Sequence, residues 1–172
     1  MRRRELLAGL GGAAIVGTGG YVALSSTGGD VAPVEIDLLD APGSPDGAMV
    51  VPVPGKTTVV DLFATTCPPC KPALDALASA RPDAEDVQFI SVTGEYLGDA
   101  SDRTRDDVIE WWKTHGGRWP VGHDAGNTLS SRFDATGLPF TAVVDATGSV
   151  VWSHTGVPDA ERVGRAIVDG RT

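Results

Sequence analysis

The sequence predicts an α/β domain, a central mixed β-sheet with helices on both faces. Three observations predict it. Strand-like and helix-like segments follow one another in the order β-α-β-α-β-β-α, the pattern of sheet strands covered by crossover helices. The last two strand-like segments are separated only by Ala146-Thr147-Gly148, a hairpin signal that adds an antiparallel pair. Apolar residues make up 41% of the 172 positions, enough for a real core and too many for a disordered chain.

Each element has its own signal. Residues 34–39 alternate and read as a first strand, with a short second one at 49–53 inside a stretch rich in Pro and Gly. Residues 57–64 (TTVVDLFA) are β-branched and apolar, the composition of a central strand. A helix over 68–80 carries Leu74, Leu77 and Ala78 at helical spacing and stops before Pro82. Residues 87–92 (VQFISV) form another buried strand. Ser101 or Asp102 caps a helix that runs to His115 with Gly116 as its stop, and Asn127 caps a shorter one bearing Leu129 and Phe133. Strands at 141–145 and 149–153 flank the hairpin turn. Asp159 opens the last helix, with Val163, Ala166 and Ile167 inward.

The first residues read as an address. Arg2, Arg3 and Arg4 are followed by an uncharged, mildly hydrophobic stretch over 6–24 that holds six glycines. A basic start, an apolar middle and a small-residue end are the layout of an export signal, and Arg3-Arg4-Glu5-Leu6-Leu7 resembles its twin-arginine form. The same stretch as a helix would reach ~28 Å, so a retained membrane anchor is the competing reading. No cysteine follows the apolar run, which excludes lipidation there. The chain thus divides into 1–29, export signal or membrane anchor plus linker, and 30–172, the folded domain.

The net charge is -9. Without Arg2, Arg3, Arg4 and Glu5, 11 basic residues stand against 22 acidic ones, a net -11 for the folded part. Such a surface repels phosphate backbones and argues against a nucleic-acid partner. The excess comes from 17 Asp, against only 6 Glu, and the cations are 11 Arg and 3 Lys. This balance reads either as an ordinary acidic, soluble domain or as one built for concentrated salt, which screens repulsion among the carboxylates.

The chemistry sits at Cys67-Pro68-Pro69-Cys70, the only two cysteines, at the junction of the best strand and a helix. Pro68 suits a first helical turn because its missing N–H has no partner there anyway. Cys67 would then lie at the helix N-terminus, where the dipole favours a thiolate, with Cys70 one turn further in. The two thiols are therefore unequal: one exposed and able to attack, the other sheltered and able to resolve a mixed disulfide. A purely structural bridge and half of a metal site are the alternatives. The first closes too short a loop to constrain the unfolded chain much. The second lacks ligands, since no second cysteine pair exists and His115, His123 and His154 are scattered.

The segment 59–71 (VVDLFATTCPPCK) resembles the active-site segment of the thioredoxin fold, closest to the exported TlpA/ResA-like branch. A second match, 137–148 (GLPFTAVVDATG), resembles that family's Gly-x-Pro-x-Thr segment and the strand and turn beyond it. The resemblance implies a thioredoxin-like fold for 30–172 and a thiol–disulfide oxidoreductase with no organic cofactor or metal, only the redox-active Cys67–Cys70 disulfide. It implies that Pro139 is cis, faces the cysteines and presents the backbone of Leu138 to an extended substrate segment. Thr66, Pro68 and Pro69 would complete the substrate-facing surface.

Asp61 interrupts an apolar strand, which places its side chain beneath the helix holding Cys70; an edge-strand Asp facing water is the alternative. Burial would raise its pKa and let it exchange a proton with Cys70, the role an acid at the matching position has in thioredoxins. Three positions depart from the family. Thr66 stands where a Trp usually precedes the first cysteine, and Ala73 where ResA-like reductases carry Glu, which weighs against cytochrome c maturation. Residues 87–92 hold no Lys to pair with Asp61, as cytosolic thioredoxin would.

The expected partners are extracytoplasmic protein thiols and disulfides, and a membrane redox partner that resets the pair. A Cu(I)-binding thioredoxin-fold metallochaperone is the alternative function, with Cys67 and Cys70 as soft ligands. The two-residue spacing and the presence of Asp61 argue against it. Trp111 and Trp112 cannot share one helical face, so one belongs to the core and the other to the surface. Trp119 and Trp152 read as packing residues, and His123 as a solvated loop residue.

Overall fold

A computed structural model describes residues 29–82, 85–98 and 100–172; the expected export signal or anchor plus linker, 1–29, lies outside them except for residue 29. The elements are β1 (Val34–Leu38), β2 (Gly47–Val51), β3 (Thr57–Phe63), α1 (Cys70–Ala80), β4 (Val87–Thr93), α2 (Arg105–Thr114), β5 (Val121–His123), α3 (Thr128–Arg132), β6 (Phe140–Val144), β7 (Val150–Thr155) and α4 (Ala160–Asp169). They build one seven-stranded sheet in the order β2-β1-β5-β4-β3-β6-β7. β3, β4 and β5 run parallel, while β1–β2, β1–β5, β3–β6 and β6–β7 are antiparallel, so the sheet is mixed as expected.

β3 is buried along its whole length, because it lies between β4 and β6 and is covered on both faces. Its alternation divides the core. Val59 and Phe63 pack with Leu74 and Leu77 of α1, Val108 and Trp112 of α2, and Val163 and Ile167 of α4. Val60 and Leu62 pack on the other face with Leu129 of α3, Ile36 and Ile90. Helices thus cover both faces, three on one side and the short α3 on the other.

The differences from the sequence reading are local. β5 was not expected, since three residues carry no measurable period, yet it joins the β1–β2 hairpin to β4. β2 ends at Val51, earlier than expected, because Pro52 has no N–H for the ladder; the Val51–Pro52 bond is cis. α2 starts at Arg105 rather than after Ser101 or Asp102. Thr104 caps it, accepting from Asp107 N, while the Asp107 carboxylate accepts from Thr104 N at 2.8 Å. Asn127 sits in the left-handed region and makes no cap; its amide donates to Gly94 O, and the Asp124 carboxylate accepts from Leu129 N at 2.8 Å instead. Asp159 caps α4 as expected, accepting from Arg162 N.

A tight turn at 41–44 fastens β5 from outside. Ser44 Oγ donates to Val121 O and accepts from Val121 N, both at 3.1 Å, and Trp112 Nε1 donates to Pro42 O. Gly43 has φ 79°, and a Cβ there would run into the Arg118 carbonyl. Gly164, inside α4, has nothing within 4 Å of a Cβ position. Two glycine substitutions should therefore act in opposite directions in urea unfolding. Gly43→Ala should cost about 2 kcal/mol or more, from left-handed strain and the clash. Gly164→Ala should stabilise by about 0.5–1 kcal/mol through helix propensity.

Candidate active site

The cysteine loop leaves the sheet where the parallel strands end. Phe63 closes β3, and two consecutive turns follow, with Cys67 N donating to Ala64 O at 3.1 Å and Cys70 N to Cys67 O at 3.0 Å. Pro68 and Pro69 have no N–H, so these two amides are the only backbone donors of the motif, and both are engaged. Helix α1 therefore starts at Cys70 with Pro69 as its N-cap, not at Pro68, and Cys67 precedes it by a turn. The positive end of the helix still faces the pair, and its first turn holds no acidic residue.

Cys67 and Cys70 form a disulfide with Cα atoms 5.4 Å apart. Cys67 is half-buried and Cys70 is 2% exposed. Thr66, Pro68 and Pro69 are all exposed around Cys67. The Leu138–Pro139 bond is cis. Pro139 immediately precedes β6, whose Phe140 pairs with Leu62, so it sits at the end of the sheet from which the cysteine loop departs. Leu138 is 41% exposed, and among the described residues no backbone hydrogen bond engages it.

Asp61 is 3% exposed at the middle of β3, opposite Ser91 on β4 and Thr141 on β6. By alternation it shares the face of Val59 and Phe63, the face covered by α1. Burial pushes its pKa from 3.8 up to about 7, opposed by the hydrogen bond from Ser91 Oγ to Oδ2 at 2.7 Å. Among the described residues its Oδ1 has no hydrogen-bond partner, nor has the Thr141 hydroxyl across from it.

The sequence reading missed Glu95. Its carboxylate accepts from Thr65 N at 2.8 Å, Thr65 Oγ1 at 2.7 Å and Thr93 Oγ1 at 3.0 Å, tying the end of β4 to the loop two residues before Cys67. His123 is half-buried rather than a solvated loop residue; its Nε2 donates to Glu95 O at 2.8 Å. A Glu just beyond a buried strand looks like an ordinary surface residue in sequence, so only the convergence of strand ends reveals the clamp. Trp112 is core, while Trp111 is half-buried and stacks between Phe63 and His115. A cleft of about 340 Å³ opens beside the loop, bordered by Ala64, Glu95, Asp124, Asn127 and Leu138. Among the described residues, no group of three or more His, Cys, Asp or Glu is placed to hold a metal.

This chain belongs to the Redoxin family, whose pattern matches residues 29–167. With a cysteine pair at the strand–helix junction, it is a thioredoxin-like thiol–disulfide oxidoreductase that works through its own dithiol. No curated protein matches it in sequence. Solved structures share its fold. One is assigned as a thiol:disulfide interchange protein DsbE from Chlorobium tepidum, with TM-score 0.67 and 19% identity over 84% of this chain and 97% of that one. StoA from Bacillus subtilis gives 0.62 and 18%, over 79% and 96%. DsbF from MTB gives 0.65 and 18%, over 80% and 95%.

Glu95 should hold the loop that carries Cys67. In Glu95→Ala, amide exchange at Thr65 and Cys67 should quicken at least tenfold, with a stability loss of about 1–3 kcal/mol from the unpaired donors. Unchanged exchange at these amides would show that the clamp is idle.

Proposed function

We propose that this chain is an exported dithiol oxidoreductase that reduces or exchanges disulfides in extracytoplasmic proteins. The observation that carries this reading is the asymmetry of the pair: Cys67 half-buried in an exposed loop, Cys70 buried on the face that holds Asp61. In the reducing direction, the Cys67 thiolate attacks a substrate disulfide. A Cys67–substrate bond forms as the substrate S–S bond breaks, and the departing sulfur takes a proton. The Cys70 thiol gives its proton to the Asp61 carboxylate and attacks Cys67 Sγ, forming Cys67–Cys70 and releasing the second substrate thiol. Two electrons pass from the pair to the substrate, and a membrane redox partner returns them.

The unengaged backbone of Leu138, beside cis Pro139, supports strand-like pairing with the substrate segment, and exposed Thr66, Pro68 and Pro69 would meet the same segment. Export rests on the arginine-led segment at the start of the sequence, by cleaved signal or retained anchor. No helix among the described residues is long and apolar enough to cross a membrane. The Asp-rich charge further suggests work in concentrated salt, whose signature is a melting temperature that climbs with molar salt.

Cys70→Ser should accumulate mixed disulfides with substrate, and Cys67→Ser should form none. Asp61→Asn should slow the resolving step at least tenfold, and abolish its rise through about pH 7. Stability gives an independent reading. The native state keeps the Asp61 proton up to about pH 7 and the unfolded chain only to about 3.8, so native protein binds more protons in between and loses stability as pH rises. At pH 8, Asp61→Asn should therefore be more stable than wild type by about 4 kcal/mol, with little gain at pH 4. A resolving rate and stability indifferent to Asp61 would refute its role.

A further inference from the structure

Asp61 stands at the end of a chain of donors that the thiol chemistry alone does not explain. Trp119 Nε1 donates to Ser91 Oγ at 3.1 Å, and Ser91 Oγ donates to Asp61 Oδ2 at 2.7 Å. Ser91 is fully buried and Trp119 is 2% exposed. The indole N–H can only donate, so the one hydroxyl proton of Ser91 has no competing use there and is directed to Asp61. The indole is fixed from several sides: Phe89 and Trp112 pack edge-on against it at 5.6 and 5.4 Å, and Arg81 lies over its ring at 5.9 Å. Two residues on, the Val121 backbone is held by Ser44.

The order of donors has a chemical consequence. Oδ2 is committed as an acceptor, so the acid proton belongs on Oδ1, the oxygen without a partner. On the neighbouring strand β6, the Thr141 hydroxyl is likewise without a partner among the described residues. From the helices, α1 contributes Cys70, Leu74 and Leu77, α2 contributes Val108 and Trp112, and α4 contributes Val163, Ala166 and Ile167; the titratable groups on this face are Cys70 itself, His154 on β7 opposite Thr141 and His123 on β5 opposite Thr93. No Lys or Arg is buried among the described residues, and Arg81 is exposed beyond the indole. Among the described residues, Ser91 is the single side chain that hydrogen-bonds the Asp61 carboxylate.

We propose that Ser91, aligned by Trp119, is a positioning residue that fixes which oxygen of Asp61 carries the proton and sets the pH at which Asp61 ionises. This rests on the reading of Asp61 as the proton acceptor of Cys70, and goes beyond it by naming what tunes the acceptor. The test follows the Asp61 carboxyl by infrared difference spectroscopy across pH in the full chain, beside the pH profile of the resolving step. In Ser91→Ala the carboxyl midpoint should rise by about one pH unit, the loss of one hydrogen bond to a charged group. Ser91→Thr, which keeps the hydroxyl, should bring it back, and Trp119→Phe should shift it upward by less. The Trp119 variant keeps the test open should Ser91→Ala not fold. A midpoint unmoved in both Ser91→Ala and Trp119→Phe would overturn the proposal, even with Asp61→Asn slow. A midpoint that moves while the rate profile does not supports the donor chain and counts instead against Asp61 as the acceptor.

Discussion

A carboxyl group enclosed at the middle of β3 is the constraint around which the rest of the molecule is arranged. An ionised side chain there has lost its water, and on its own face it meets Val59, Phe63 and the underside of α1. Among the described residues, one hydroxyl is its only hydrogen-bond partner. The cost is tolerable because burial lets the group remain protonated at neutral pH. Central placement is what makes this hold. β4 brings Ser91 and β6 brings Thr141 to either side of Asp61 in register, which an edge strand could not do.

The same strand delivers the reactive pair. Once β3 ends, two turns and two prolines use up the local amides, and α1 begins at Cys70 with its positive end toward the disulfide. The parallel strands β3, β4 and β5 end together, so Thr65, Glu95 and His123 meet in one hydrogen-bonded set two residues before Cys67. Reactive chemistry at the carboxyl ends of parallel strands is what this topology provides. Here the loop is held by a carboxylate rather than left to its own turns.

Much of this was legible in the sequence, and the reasons are physical. The apolar run of β3, the Cys-Pro-Pro-Cys spacing and the lone Asp in that run are local features with strong periodic or chemical signals. Their positions in the sheet follow from them. The start of α1 was read early because Pro68 fits a first helical turn, yet the chain spends it in a turn closed by Cys70 N. Asn127 looked like a cap, but its left-handed backbone disables it and Asp124 supplies the oxygen from three residues earlier. β5, Glu95, Ser91 and Trp119 were not legible as site elements. A three-residue strand has no period, and a Ser, a Glu and a Trp become partners of the site only when distant strands are brought side by side.

The central claim is that Cys67 and Cys70 are a working couple and not a structural staple. The most direct measurement is a redox titration of the intact protein in thiol buffers of graded potential, with thiol trapping of both cysteines. A working couple gives a reversible two-electron transition, shifting about 30 mV for each tenfold change in the reduced-to-oxidised ratio. Its midpoint sets the physiological direction: near about -270 mV the protein is built to reduce, near about -120 mV to oxidise. A bridge that stays closed across the whole range, or opens only with loss of the fold, would contradict the account.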